Sequence, residues 1–130
     1  MPNLINLNTF TDRRGNLTVV EDHEIPFPIK RFFYIYDVDE SSRGGHRHKK
    51  TYQALICLKG SCRVNVNNGA FITSYLLNKP KNCLLLEPKD WHILTDFEQG
   101  SILLVCASEH FDKQDYIFEE YKLSVKQLLR

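Results

Sequence analysis

The run from Arg43 to Gly69, RGGHRHKKTYQALICLKGSCRVNVNNG, sets the reading of the chain. On an extended strand alternate side chains share a face, so His46 and His48 point one way and Arg47 the other. Gln53 rejoins the histidine face if a bulge interrupts the strand. Tyr52 to Leu58 is β-prone throughout, and Lys59-Gly60 turns the chain into Ser61 to Val66. Asn67-Asn68-Gly69 then carries the signature of a type I′ hairpin leading into Ala70 to Leu76.

The same texture extends outward on both sides. Upstream, Leu17 to Glu21 follows the Asp12-Arg13-Arg14-Gly15-Asn16 turn, and Ile29 to Val38 is a long strand candidate. Downstream, Cys83 to Leu86, Trp91 to Asp96 and Ser101 to Ala107 complete the set. Many short strands without intervening helices exclude a parallel α/β sheet and predict an all-β sandwich or barrel of jelly-roll type. A helical pattern appears only in the tail, 112–130, where Ile117, Tyr121 and Leu128 fall near one face of Tyr116 to Arg130.

With 130 residues, 42% of them hydrophobic, the chain is expected to form one domain, 1–130. Its 17 basic and 16 acidic residues leave a net charge of +1, so no global field favours nucleic acid or an anionic membrane. Any anion site must therefore be local. No apolar run approaches the ~20 residues of a membrane helix, and no secretory signal opens the sequence, so a soluble, cytoplasmic protein is expected. Cys57, Cys62, Cys83 and Cys106 form no CxxC pair and read as reduced, buried strand residues.

A third histidine, His92, follows in PKDWHILTD, residues 88–96, four positions before Asp96. Two histidines on one strand and a later third in this order resemble the two motifs of the cupin superfamily, in which three histidines and a carboxylate line a small β-barrel. Three imidazoles and a carboxylate would suit iron, manganese or zinc, but the carboxylate's place is taken by Gln53, a neutral and poor ligand for divalent cations. That substitution argues against a metal and for proton transfer, since imidazole titrates near ~6.5 and can take and return a proton in one turnover. Tyr34 and Tyr36 share a face of the Ile29 to Val38 strand; a hydroxyl role and simple packing both remain open for Tyr34, while packing is favoured for Tyr36.

Taken together, RRGNLTVVED, IPFPIKRFFYIYDV, the 43–69 run, PKDWHILTDF and LVCASEHFDKQDYI resemble the nucleotide-sugar 3,4-ketoisomerases, in order and from about Asp12 to Tyr121. The resemblance implies a cupin-type barrel, a homodimer that exchanges N-terminal strands, and metal- and cofactor-independent isomerisation of a dTDP-4-keto-6-deoxyhexose. Such chemistry belongs to deoxyamino-sugar biosynthesis for surface glycans. It further implies His46 as the base, His48 as its acid or shuttle partner, Tyr34 as a relay or oxygen ligand, and the Trp91-His92 pair and Gln53 at the substrate. The pyrophosphate calls for guanidinium groups, and Arg14, Arg31 and Arg43 are the candidates. Relatives more often show an FHAH pattern where this chain has Gly45 and Arg47, which touches the cavity mouth. A dTDP-sugar 3,5-epimerase and a non-catalytic sugar-nucleotide-binding cupin are the alternatives.

Overall fold

The computed structural model describes residues 2–123. Its strands are β1 (Asn3–Asn6), β2 (Thr9–Asp12), β3 (Gly15–Thr18), β4 (Arg31–Tyr36), β5 (Arg43–His48), β6 (Gln53–Lys59), β7 (Cys62–Asn67), β8 (Ile72–Leu77), β9 (Asn82–Leu86), β10 (Trp91–Thr95), β11 (Ile102–Ala107) and β12 (Tyr116–Ile117). Two five-stranded antiparallel sheets, ordered β1-β9-β6-β11-β4 and β12-β5-β10-β7-β8, face each other. This is the cupin-type jelly roll expected. The β2–β3 hairpin pairs only with itself among the described residues.

The inner faces of both sheets supply one core. Leu55, Cys57, Leu84, Leu103 and Val105 from the first sheet meet Cys62, Val64, Val66, Leu77 and Leu94 from the second. Each buried aliphatic side chain is worth about 1.5–3 kcal/mol relative to exposure. A second cluster lies on the outer face of the first sheet, where Ile25 and Phe27 cover Ala54, Ile56, Cys83 and Cys106. Strand β6 is thus buried on both sides, which explains why its sequence runs apolar without alternation. All four cysteines are buried and unbridged.

Several expectations need correction. No bulge carries Gln53 to the histidine face; the chain leaves one sheet after β5 and enters the other at β6, and Gln53 reaches the interior from across the sandwich. The bulge falls earlier. His92 faces His46 and Ile93 faces Gly44, which leaves Gly45 as the extra residue. Both glycines have positive φ, +87° and +83°, and a Cβ on Gly44 would stand 3.1 Å from the His92 carbonyl oxygen. Gly-Gly is therefore a backbone requirement of this strand.

The β7–β8 connection is wider than a two-residue turn, because Asn67 pairs with Ile72. The Asn67 and Asn68 side chains accept backbone N–H groups from Gly69, Ala70 and Phe71, stabilising the longer loop. The tail helix is absent from residues 116–123, and 124–130 lie outside the described residues. Instead Lys113–Asp115 form a 3-10 turn and Tyr116 and Ile117 pair with His48 and Arg47. Strand pairing and aromatic packing satisfy that stretch better than an isolated amphipathic helix would. Strands β1 and β2 were not anticipated, and β3 starts and ends earlier than expected. Among the described residues no helix is long and apolar enough to cross a membrane.

Candidate active site

At one end of the sandwich the sheets part around a cavity of about 250 Å3, lined by Phe33 and Ile35 of β4, Arg43, Gly44 and His46 of β5, Gln53 of β6, His92 and Leu94 of β10, Val105 of β11 and Tyr116 of β12. The three histidines converge as the strand register requires. The His46 ring lies 5.0 Å, centroid to centroid, from both His48 and His92, and those two are 6.2 Å apart. His46 and His92 line the cavity, whereas His48 is buried behind them, against Tyr116. Arg47 points outward as expected, with its guanidinium 4.2 Å from the centre of the Tyr121 ring.

The turn before β10 fixes two of these groups at once. His92 Nδ1–H donates to the Asp90 carbonyl at 3.1 Å, which directs the Nε2 lone pair away from the turn, and the His48 backbone N–H donates to the Pro88 carbonyl at 2.8 Å. Asp90 is itself buried, and its carboxylate accepts from the Glu87 N–H. Burial, partly offset by that bond, raises the Asp90 carboxyl above the usual range.

Electrostatics keep the imidazoles neutral. Burial is the largest cause at each. His46 is lowered from its ordinary value, with the Gly44 backbone acting in the other direction. His48 is pushed down to about 4 by burial and the neighbouring His46, with Asp115 opposing and Arg31 adding to the shift. His92 is pushed down to about 3, the Asp90 carbonyl opposing and the other two histidines reinforcing. His48 Nε2 is buried and makes no hydrogen bond to any described residue, a position tolerable for a neutral ring and costly for a charged one.

The positively charged candidates differ in placement. Arg43 lines the cavity. Arg31 takes the inward side of β4 with Phe33 and Ile35; its guanidinium sits 5.2 Å and 5.6 Å from the Phe33 and Phe111 ring centres, and Nε donates to the Glu109 carbonyl. Arg14 lies apart, in the exposed β2–β3 turn, where its Nη2 meets Asp12 Oδ2 at 2.6 Å. That bridge and the Asp12 contact with the Arg14 backbone N–H hold the Asp12 carboxyl below its usual range.

Tyr34 does not join the histidines. Strand β4 alternates, so Phe33 and Ile35 face the cavity while Tyr34, 60% exposed, faces outward and stacks on Tyr36 at 5.9 Å. Trp91 also lies on the outer side of its strand, and its Nε1–H donates to the Phe118 carbonyl at 3.1 Å. Gln53 is buried and presents an amide to the cavity, and among the described residues no carboxylate lines it. Among the described residues no group of three or more His, Cys, Asp or Glu is arranged to hold a metal ion. The aromatic residue packed most closely on the histidines among those described is Tyr116, with ring centres 4.6 Å from His46 and 4.8 Å from His48, while Phe118 lies 6.2 Å from His46. Its β12 pairing spans nearly seventy residues of chain and leaves no local trace in the sequence.

Comparison with known proteins gives this arrangement a family. The family model described as FdtA: WxcM-like, C-terminal, matches residues 1–126. The chain belongs to this FdtA/WxcM-like family. It is 42% identical over 116 residues, 88% of this chain and 84% of the other, to the TDP-4-oxo-6-deoxy-alpha-D-glucose-3,4-oxoisomerase of Aneurinibacillus thermoaerophilus. Among solved structures it superposes with a TM-score of 0.88 on a histidine-to-asparagine mutant of the 3,4-ketoisomerase QdtA from Thermoanaerobacterium thermosaccharolyticum in complex with TDP-4-keto-6-deoxyglucose, at 40% identity over 91% of this chain and 87% of that one. The WlaRB TDP-quinovose 3,4-ketoisomerase of Campylobacter jejuni follows at a TM-score of 0.87, 38% identity, 91% of this chain and 92% of that one. The family model's span takes in both histidine-bearing strands and the segment that carries Tyr116.

Proposed function

We propose that this protein is a sugar 3,4-ketoisomerase that moves the carbonyl of a TDP-linked 4-keto-6-deoxyhexose from C4 to C3. The observation that carries this reading is a neutral His46 that opens into a sugar-sized cavity with two further neutral imidazoles packed against it. A base must be unprotonated to act, and burial keeps His46 so at neutral pH. The acidic C3–H next to the ketone gives its proton to His46, and the C–H electrons form the enediolate. Return of the proton at C4 leaves the carbonyl at C3. His48, behind His46, steadies the ring and is the candidate shuttle partner.

A cavity of about 250 Å3 is at the small end of ligand sites, which run to about 300–1,000 Å3, so it suits the hexose and not the whole nucleotide sugar. The diphosphate then lies towards the mouth, where Arg43 and Arg31 are in reach of charge-assisted hydrogen bonds. Arg14 completes the anion site if the chain acts as a homodimer in which the β2–β3 hairpin crosses to a second copy. Supporting this, the hairpin pairs with neither sheet and exposes Phe10 and Leu17, while edge strand β4 exposes Phe32, Tyr34 and Tyr36. Strand β1 pairs with β9 of its own chain, so exchange is confined to the hairpin.

The 3,5-epimerase reading, which pairs a histidine with an aspartate, finds no aspartate among the described residues lining the cavity. Incubation with TDP-4-keto-6-deoxyglucose in deuterated water, followed by NMR, separates the readings. A 3-keto isomer is expected. Deuterium at C3 and C5 without carbonyl migration would mean epimerase chemistry, and binding without exchange would mean a non-catalytic cupin.

A further inference from the structure

Isomerisation moves two protons, and His46 accounts for one. The carbon-bound proton travels from C3 to C4, while the proton on O3 must end on O4. A group beside the two oxygens is therefore needed as well as a base. We propose that the Tyr116 hydroxyl is that group: it hydrogen-bonds the O3–O4 edge of the sugar, stabilises the enediolate oxygen, and passes the hydroxyl proton across. This rests on the ketoisomerase reading above.

Tyr116 lines the cavity and packs against both His46 and His48. Its place is built, not incidental. Asp112 accepts the Gln114 N–H to start the 3-10 turn; buried Asp115 accepts the N–H groups of Lys49 and Lys50 and the hydroxyl of Thr51; and Tyr116 then pairs with His48. One carboxylate thus ties the tyrosine's segment to the end of the histidine strand. The hydroxyl itself makes no hydrogen bond to any described residue.

The other polar groups on the cavity wall are less suited. Arg43 cannot give up a proton, and the Gln53 amide donates and accepts without transferring one. His92 has its Nδ1–H committed to Asp90 and presents only a lone pair. A phenol donates, accepts and exchanges its proton. As the C3–H bond breaks and its electrons form the C3–C4 double bond, negative charge collects on O4, and the Tyr116 O–H gives its proton to O4 and takes that of O3. The imidazolium then returns its proton to C4 as the C3 carbonyl forms. Tyrosine and histidine both end unchanged.

Tyr116→Phe keeps the ring and removes the hydroxyl. With TDP-4-keto-6-deoxyglucose in deuterated water, NMR reads carbonyl migration and, separately, exchange of the C3 proton in unreacted substrate. The expected result is a fall in kcat for migration of at least ~10²-fold with KM within about threefold, while C3 exchange falls much less, because the base still works and exchange loses only a hydrogen bond to O4, whereas migration also loses the O3-to-O4 proton transfer. Persistent exchange also shows that the variant is folded and binds. A kcat within about threefold of wild type would overturn the proposal, as would loss of exchange and migration in equal proportion, which would make Tyr116 a support for His46 only. Failure of the wild-type protein itself to move the carbonyl would instead remove the ketoisomerase reading, and this proposal with it.

Discussion

His46 and His92 are register partners across the β5–β10 ladder, and their rings meet edge-on with centroids 5.0 Å apart. Each ring makes a charge on the other unfavourable, and His48 closes the group from behind. The protein therefore carries buried imidazoles that an unfolded chain would protonate near pH 6.5. A group whose folded pKa is depressed contributes nothing to pH dependence above its unfolded value and costs stability as pH falls below it. With His92 at about 3 and His48 at about 4, the unfolding free energy should decline between pH 6.5 and 4 by about 1.4 kcal/mol per pH unit for each ring. The raised Asp90 carboxyl works in the opposite direction, one group against three, since His46 is lowered as well. Urea unfolding at pH 7.5 and pH 5 measures this; equal midpoints would show that the rings are not buried neutral.

The bulge at Gly45 makes a separate demand. Gly44→Ala places a methyl 3.1 Å from the His92 carbonyl at a φ of +87°, against a backbone atom that cannot swing aside. Gly45→Ala carries similar strain but meets only Trp91 Cζ2 at 3.9 Å. Both should destabilise, by about 1–3 kcal/mol, with Gly44→Ala the worse and the more damaging to turnover. Thermal unfolding and kcat of the two variants decide; a harmless Gly44→Ala would contradict the bulge.

Tyr34→Phe should leave kcat within about threefold of wild type, because the ring lies on the outer face of β4, away from the histidines. A fall of the size expected for a general acid or base would place its hydroxyl in the chemistry after all. Steady-state assay of that one variant is sufficient.

If Arg14 acts across a dimer interface, then Arg14→Ala and His46→Asn chains co-expressed in one cell should complement. A mixed dimer has one site with both changes and one with neither, giving about a quarter of wild-type activity at random pairing. No recovery from two inactive parents would place Arg14 in its own chain's site or outside the site.

Much of this architecture is legible in one dimension because its cause is local. Alternation put His46 and His48 on one face and Arg47 on the other, and β6 read as a strand from its β-branched and apolar run. Residues placed by long-range pairing were not legible. Tyr116 reaches the histidines only through the β5–β12 ladder, and its sequence, KQDYIFEEY, satisfies a helical pattern as readily. Tyr34 shows the limit of alternation: the period gives two faces, but which one meets the cavity depends on the pairing of β4 with β11. Trp91 was drawn to the substrate by its neighbour His92, although adjacent residues on a strand face opposite ways.

The most direct test of the account is the turnover of His46→Asn with TDP-4-keto-6-deoxyglucose, alongside its affinity for TDP and its unfolding midpoint. Asparagine fits the site and hydrogen-bonds but cannot take the C3 proton. The account predicts carbonyl migration reduced by at least ~10²-fold with folding intact and TDP affinity retained. Migration at the wild-type rate would contradict it and remove His46 from the reaction.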